Sequence, residues 1–103
     1  MRTAMRKWLF FGSFVRLHIL YWATKKPISG AEILAGLDCH EYRLNARKVT
    51  DVLRTLEQEG YLNACTMIVS GKRRNYYQAT RKTRHVMEVA RKRLRVLAAE
   101  LLG

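Results

Sequence analysis

The stretch from Asn45 to Tyr77 constrains this chain more than any other. It opens NARKVTDVLRTLEQEGYL, where Val49, Val52, Leu53 and Leu56 recur at helical spacing behind Asn45, a residue suited to cap a helix. Gly60 is the natural end of that helix, because glycine tolerates the left-handed backbone that closes one. NACTMIVSGKRRNYYQAT continues the chain. Tyr61, Leu62, Cys65, Met67 and Val69 suit a strand, Ser70-Gly71-Lys72-Arg73-Arg74 a turn, and Asn75 to Ala79 a returning strand. A two-stranded ribbon cannot hold on its own, so it must lie against helices.

The flanking segments supply those helices. Residues 1–12 are basic and aromatic, and form either a short first helix or an arm. Gly12-Ser13 offers a break and a cap. Phe14, Leu17, Leu20 and Tyr21 then repeat at helical spacing, broadened by Val15 and Ile19, in a helix that should stop near Lys25-Lys26 ahead of Pro27. Ser29 with Glu32 fits a capping box, and Ile33, Leu34 and Leu37 form the buried stripe of a second helix ending around Leu37. Asp38 to Leu44 is the polar turn between the second and third helices. After the hairpin, Thr80 caps a last helix whose stripe of Val86, Val89, Leu94, Leu97 and Leu101, with Ala90 and Ala98, is longer than one small core can cover.

The fold class expected is mainly α with a small β-hairpin. It is a winged helix-turn-helix domain over residues 1–80, with an N-terminal helical extension, and a C-terminal dimerisation helix over residues 81–103. The length of 103 residues suits one domain with a modest core. Trp8 and Phe11 are expected at the dimer interface with Val86, Val89, Leu94, Leu97 and Leu101.

Charge then narrows the partner. A formal net charge of +12 favours a polyanion, nucleic acid first and an anionic membrane surface second. The charge is directional: residues 1–26 carry six bases and no acids, whereas residues 27–60 carry four bases against six acids. Cys39 and Cys65 lack ligand spacing and read as free thiols in a reducing, cytoplasmic compartment. The apolar start is interrupted by Arg16 and His18 and lacks a cleavage site, and no apolar run is long enough to span a membrane.

The chemistry expected is recognition, not catalysis. Arg47, Lys48, Thr50, Asp51 and Arg54 occupy the polar side of the third helix, where Arg47 or Arg54 can pair with guanine and Asp51 can accept from cytosine. A solvated helix face is the bland alternative. Lys72, Arg73 and Arg74 at the wing tip should meet phosphates or enter a minor groove, or else merely keep a turn soluble. Ser29 at a helix start can hold one backbone phosphate, although capping alone explains it. His18, His40 and His85 stand isolated in the chain, and Cys39-His40-Glu41 is too compact to close a metal site alone, though a dimer could supply the remaining ligands. No phosphate loop or nucleophile constellation is present, so no enzyme activity, cofactor or metal is expected. Trp8, Phe10, Phe11, Tyr21 and Trp22 should be mostly core, with some free to line an effector cavity between subunits.

At this point the chain resembles the PadR family of transcriptional regulators. The resemblance rests on GSFVRLHILYWA, the SGAEIL opening of the second helix, VLRTLEQEGYL, and GKRRNYYQAT. It implies a homodimeric DNA-binding repressor acting on a palindromic operator, relieved in many members by a small phenolic or drug-like molecule. It also implies that Ala46, Arg47, Lys48, Thr50, Asp51 and Arg54 form the recognition face, with Arg81 to Leu101 as the dimer helix. The chain departs from the family pattern at Ala31, at Arg47 to Asp51, and at Thr83, where a glycine is usual. A nucleic-acid-binding architectural protein with little sequence preference, or a winged-helix protein-interaction module, is the alternative.

Overall fold

The computed structural model describes residues 2–103, with side chains from Phe11 onward. Seven elements follow in order: α1 (Arg2–Lys25), β1 (Ile28–Ser29), α2 (Gly30–Cys39), α3 (Ala46–Gln58), β2 (Leu62–Val69), β3 (Lys72–Ala79) and α4 (Arg81–Leu102). Four helices surround a small antiparallel sheet of order β1-β3-β2.

α1 runs unbroken through Gly12 and Ser13, contrary to the break expected there. An interior glycine costs a helix only about 1 kcal/mol, which tertiary packing overrides. Gly12 is buried, and Val15, Ile19 and Ala23 follow it at four-residue spacing as the core stripe, with Leu20 beside them. The expected stripe is therefore divided. Phe14 and Tyr21 are 39% and 43% exposed, on a second apolar face turned toward α4. The apolar residues of α1 are numerous enough to serve two neighbours, and helical periodicity alone does not say which row faces which.

Pro27 ends α1, and the extended residues after it become β1. Ile28 pairs with Tyr77 and Ser29 with Tyr76, adding a third strand that sequence periodicity did not reveal. Two residues are too short to show an alternation. The capping box at the start of α2 is formed: Ser29 Oγ accepts from the Glu32 amide at 3.2 Å, and Glu32 Oε1 accepts from the Ser29 amide at 3.1 Å. The Ser29 amide and then the Ser29 hydroxyl, both bonding the Glu32 carboxyl, hold it below the usual glutamate range, with Lys26 and Arg74 adding to the effect. α2 extends to Cys39, slightly past its expected end.

The core lies where α1, α2 and α3 meet the root of the ribbon. Ile19, Ile33 and Leu37 are wholly buried, joined by Val49, Val52, Leu53 and Leu56 from α3 and Leu62 from β2. α3 ends in a Schellman turn: the Gly60 amide donates to Glu57 O at 3.0 Å and the Tyr61 amide to Leu56 O at 2.9 Å, with Gly60 at φ +83°.

Two of the three histidines expected to stand alone come together. His18 of α1 and His40 after α2 stack with ring centroids 4.7 Å apart, and Trp22 and Tyr42 complete the cluster at 5.5 and 5.3 Å from His18. Trp22 is thereby committed to this cluster and not to an effector wall. A side chain at Gly36 would press on it, because a Cβ there would stand 2.8 Å from the edge of the Trp22 ring.

Two outcomes follow. Gly36→Ala should destabilise the fold by about 1–3 kcal/mol, read as a lower urea midpoint, because the stacked Trp22 ring has little room to retreat. Burial, and then the neighbouring His40, hold the His18 imidazole below its ordinary 6.5. The unfolded chain thus binds that proton more readily, so stability is full above the ordinary value and falls as pH drops toward the lowered one. Denaturant unfolding should show this acid-side loss, and His18→Phe should flatten it.

Candidate nucleic-acid interface

α3 begins at Asn45, whose Oδ1 accepts from the Lys48 amide at 2.8 Å. With its apolar row committed to the core, the opposite side must face outward. Arg47, Thr50, Asp51 and Arg54 are all exposed, and Lys48 is half-buried at the flank. Thr50 Oγ1 donates to Ala46 O at 2.9 Å, which leaves the oxygen's lone pairs outward. Arg54 pairs with Asp51 at 3.9 Å within this face. A pair this exposed contributes about 1 kcal/mol or less to stability. Its consequence is local: the carboxylate is partly neutralised and the guanidinium is held about two turns along from Arg47.

The wing is tighter than its sequence suggested. The turn is Ser70-Gly71 alone, at φ +53° and +77°, the left-handed pair that a two-residue type I′ hairpin needs. Lys72, Arg73 and Arg74 therefore lie in β3, opposite Val69, Ile68 and Met67, instead of forming the loop tip. Side chains alternate along a strand, so Lys72 and Arg74 share one face of the ribbon and Arg73 takes the other. All three remain exposed. The basic stretch masked this boundary, because cationic residues favour neither strand nor turn strongly.

Between the start of α2, the first turns of α3 and β3 lies a cleft of about 500 Å³, bordered by Ser29, Val49, Thr50, Leu53, Arg74 and Tyr77. Ser29 is buried at its edge, where its hydroxyl is engaged with Glu32. Tyr77 keeps its proton: burial, then the Glu57 carboxylate, push its pKa up. α3 and β3 thus flank one concave surface, to which β3 contributes the cation Arg74.

Residues 19–89 match the family described as the transcriptional regulator PadR-like family. The chain belongs to the PadR family. It is 36% identical over 89 residues to transcriptional regulator Rv3488 of Mycobacterium tuberculosis, an alignment covering 86% of this chain and 83% of that one. The crystal structure of a PadR-like transcriptional regulator from Bacillus cereus superposes with a TM-score of 0.82 at 18% identity, over 90% of this chain and 92% of that one. Bacillus subtilis PadR in complex with operator DNA gives a TM-score of 0.64 at 19% identity, over 73% of this chain and 45% of that one. At these identities the two structures speak to the fold, which they share with this chain.

In this PadR-family chain α4 leaves the head along an open surface. From Arg91 onward every residue is exposed, including Leu94, Val96, Leu97 and Leu101, and Val89 precedes them at 40% exposed. Val86 is half-buried. Phe11 is also exposed, its ring 6.2 Å from that of Phe14. Trp8 lies outside the residues whose side chains are described. Where α1 and α4 come together, Phe14, Leu17, His18, Tyr21, Met87 and Leu94 border a second cleft of about 330 Å³. No helix among the described residues is long and apolar enough to cross a membrane.

Sequence reasoning missed the residues that join the head to α4. Thr80 occupies the N-cap position of α4 but makes no side-chain cap bond there. Its hydroxyl donates instead to Gly60 O at 2.7 Å. Nothing local in the sequence signals that bond, because the two residues stand 20 positions apart. Asn45→Ala should fray the first turn of α3 and cost about 1 kcal/mol, visible as lower unfolding stability and faster exchange of the Lys48 amide.

Proposed function

We propose that this protein is a homodimeric repressor that binds a palindromic operator in double-stranded DNA. The observation that carries the reading is the polar face of α3, fully outward and flanked by the cations of β3. In this account residues 1–80 form the DNA-binding head and residues 81–103 the pairing helix. Arg47 and Arg54 reach base edges in the major groove, Lys48, Thr50 and Asp51 contribute from the same helix, and Lys72, Arg73 and Arg74 meet the backbone or the adjacent minor groove. Ser29 marks the start of α2, where one backbone phosphate can be held. The complex of Bacillus subtilis PadR with operator DNA supports the direction of this reading.

The dimer follows from energetics. Apolar side chains along α4, Val86, Val89, Leu94, Leu97 and Leu101, gain about 25 cal/mol for each Å² removed from water, and one chain leaves a large part of that area uncovered. A second copy presents the same stripe and closes it symmetrically, with Phe11 and Trp8 adding from α1. Two heads then meet successive major grooves about 34 Å apart. A small aromatic or drug-like effector in the cleft between α1 and α4 relieves repression by favouring a dimer state with different head spacing. The two exposed free thiols suit a reducing cytoplasm.

A regulator of this kind should prefer its site over random DNA by about a thousandfold or more at physiological salt. Equal affinity for both would replace this reading with that of a non-specific architectural protein, to which the +12 charge alone is suited. Arg54→Ala should weaken the chosen site by about 1–3 kcal/mol while leaving random DNA almost unaffected. Lys72→Ala should instead weaken both alike and lower the salt slope by about one. An equal loss on both DNAs for Arg54→Ala makes that residue a phosphate contact. Leu97→Glu should halve the mass in light scattering without unfolding the head, and an unchanged mass contradicts pairing through α4.

A further inference from the structure

The three residues between α3 and β2 have their carbonyl oxygens held by the first turn of α4. Lys82 Nζ donates to Glu59 O at 2.9 Å, and its ammonium also sits 4.4 Å from the centre of the Tyr61 ring. Thr80 Oγ1 donates to Gly60 O at 2.7 Å. Tyr61 O accepts twice, from the Thr80 amide at 3.2 Å and from the hydroxyl of Thr83. Thr83 is wholly buried, so its hydroxyl has no access to water; it donates to that carbonyl and lies 3.4 Å from the Thr80 hydroxyl.

We infer that Thr83, with Thr80 and Lys82, is a positioning residue that sets the angle between the recognition helix α3 and the dimer helix α4. The inference rests on the DNA-binding reading above and adds a mechanism to it. The Schellman turn already fixes Gly60 and Tyr61 relative to the last turn of α3. Holding the next carbonyls from α4 leaves no freely rotating bond between the two helices at this corner. Elsewhere the head meets α4 through the side chains of α1, which can slide, whereas hydrogen bonds from a buried hydroxyl are directional. In a dimer, a small rotation at this corner becomes a large displacement at the far end of α3. The corner therefore sets the spacing of the two heads and the fraction of free dimers already shaped for the operator, and apparent affinity scales with that fraction.

Thr83→Val keeps the shape and removes the hydroxyl, and Thr83→Ser restores it. The test uses the full chain with Cys39→Ser and Cys65→Ser, spin labels on Arg43→Cys and Arg95→Cys, and dilution with unlabelled chains so that only distances within one molecule are read. Wild-type Thr83 should give one narrow distance, Thr83→Val a clearly broader distribution, and Thr83→Ser the narrow one again. On DNA, Thr83→Val should lose about fivefold on the preferred site, as expected for one hydrogen bond, and tolerate half-sites moved apart by one base pair. If Thr83→Val unfolds, Lys82→Gln takes its place and should broaden the same distance. An unchanged width and an unchanged spacing preference in a folded variant overturn the inference. Absence of any site preference in the wild type overturns the DNA-binding reading instead, while the width of the distance distribution still decides whether the corner is rigid.

Discussion

The apolar row of α3 is the constraint on which the rest depends. Val49, Val52, Leu53 and Leu56 are each at most 5% exposed, packed with Ile19, Ile33 and Leu37. Rotating the helix by half a turn would bury Arg47, Asp51 and Arg54, at a cost of several kcal/mol. The outward direction of the polar face is thus a consequence of core formation, and the surface proposed to read DNA is set by residues that lie beneath it.

Around that helix the protein builds two unlike connections. Toward the wing it uses backbone pairing: β3 is shared between β2 and the two residues of β1, so the ribbon is tied to the start of α2 on one side and to the end of α3 on the other. Toward α4 it uses side-chain bonds to carbonyls at a single corner, and a looser apolar seam with α1. Rigid wing and hinged apolar seam together describe a head that is stiff in itself. In the proposed dimer, its angle to α4 depends on one small set of threonines and a lysine.

Much of this was legible in the residues. The Ser29–Glu32 box, the Asn45 cap, the Gly60 ending and the four-residue burial pattern of α3 each follow from a local rule with a local cause, and the PadR-like motifs pointed to the same fold. Three features escaped for physical reasons. β1 is too short to alternate, and α1 carries two apolar rows, so Phe14, Leu17 and Tyr21 were assigned to the core when they face α4. The basic stretch of Lys72 to Arg74 hides a strand boundary set by the φ angles of Ser70 and Gly71. The candidate site was readable as a set of outward residues on α3. The corner formed by Thr80, Lys82 and Thr83 was not, because its bonds join residues far apart in the chain.

The central claim is that α3 enters the major groove of a two-fold symmetric site. Methylation interference on the DNA that the dimer selects from random sequence tests it most directly, since dimethyl sulfate marks guanine N7 in that groove. Two clusters of interfering guanines, one helical turn apart on the same face of the duplex, are the predicted result. Binding that persists with every guanine N7 methylated, or a single cluster without a symmetric mate, would contradict the account.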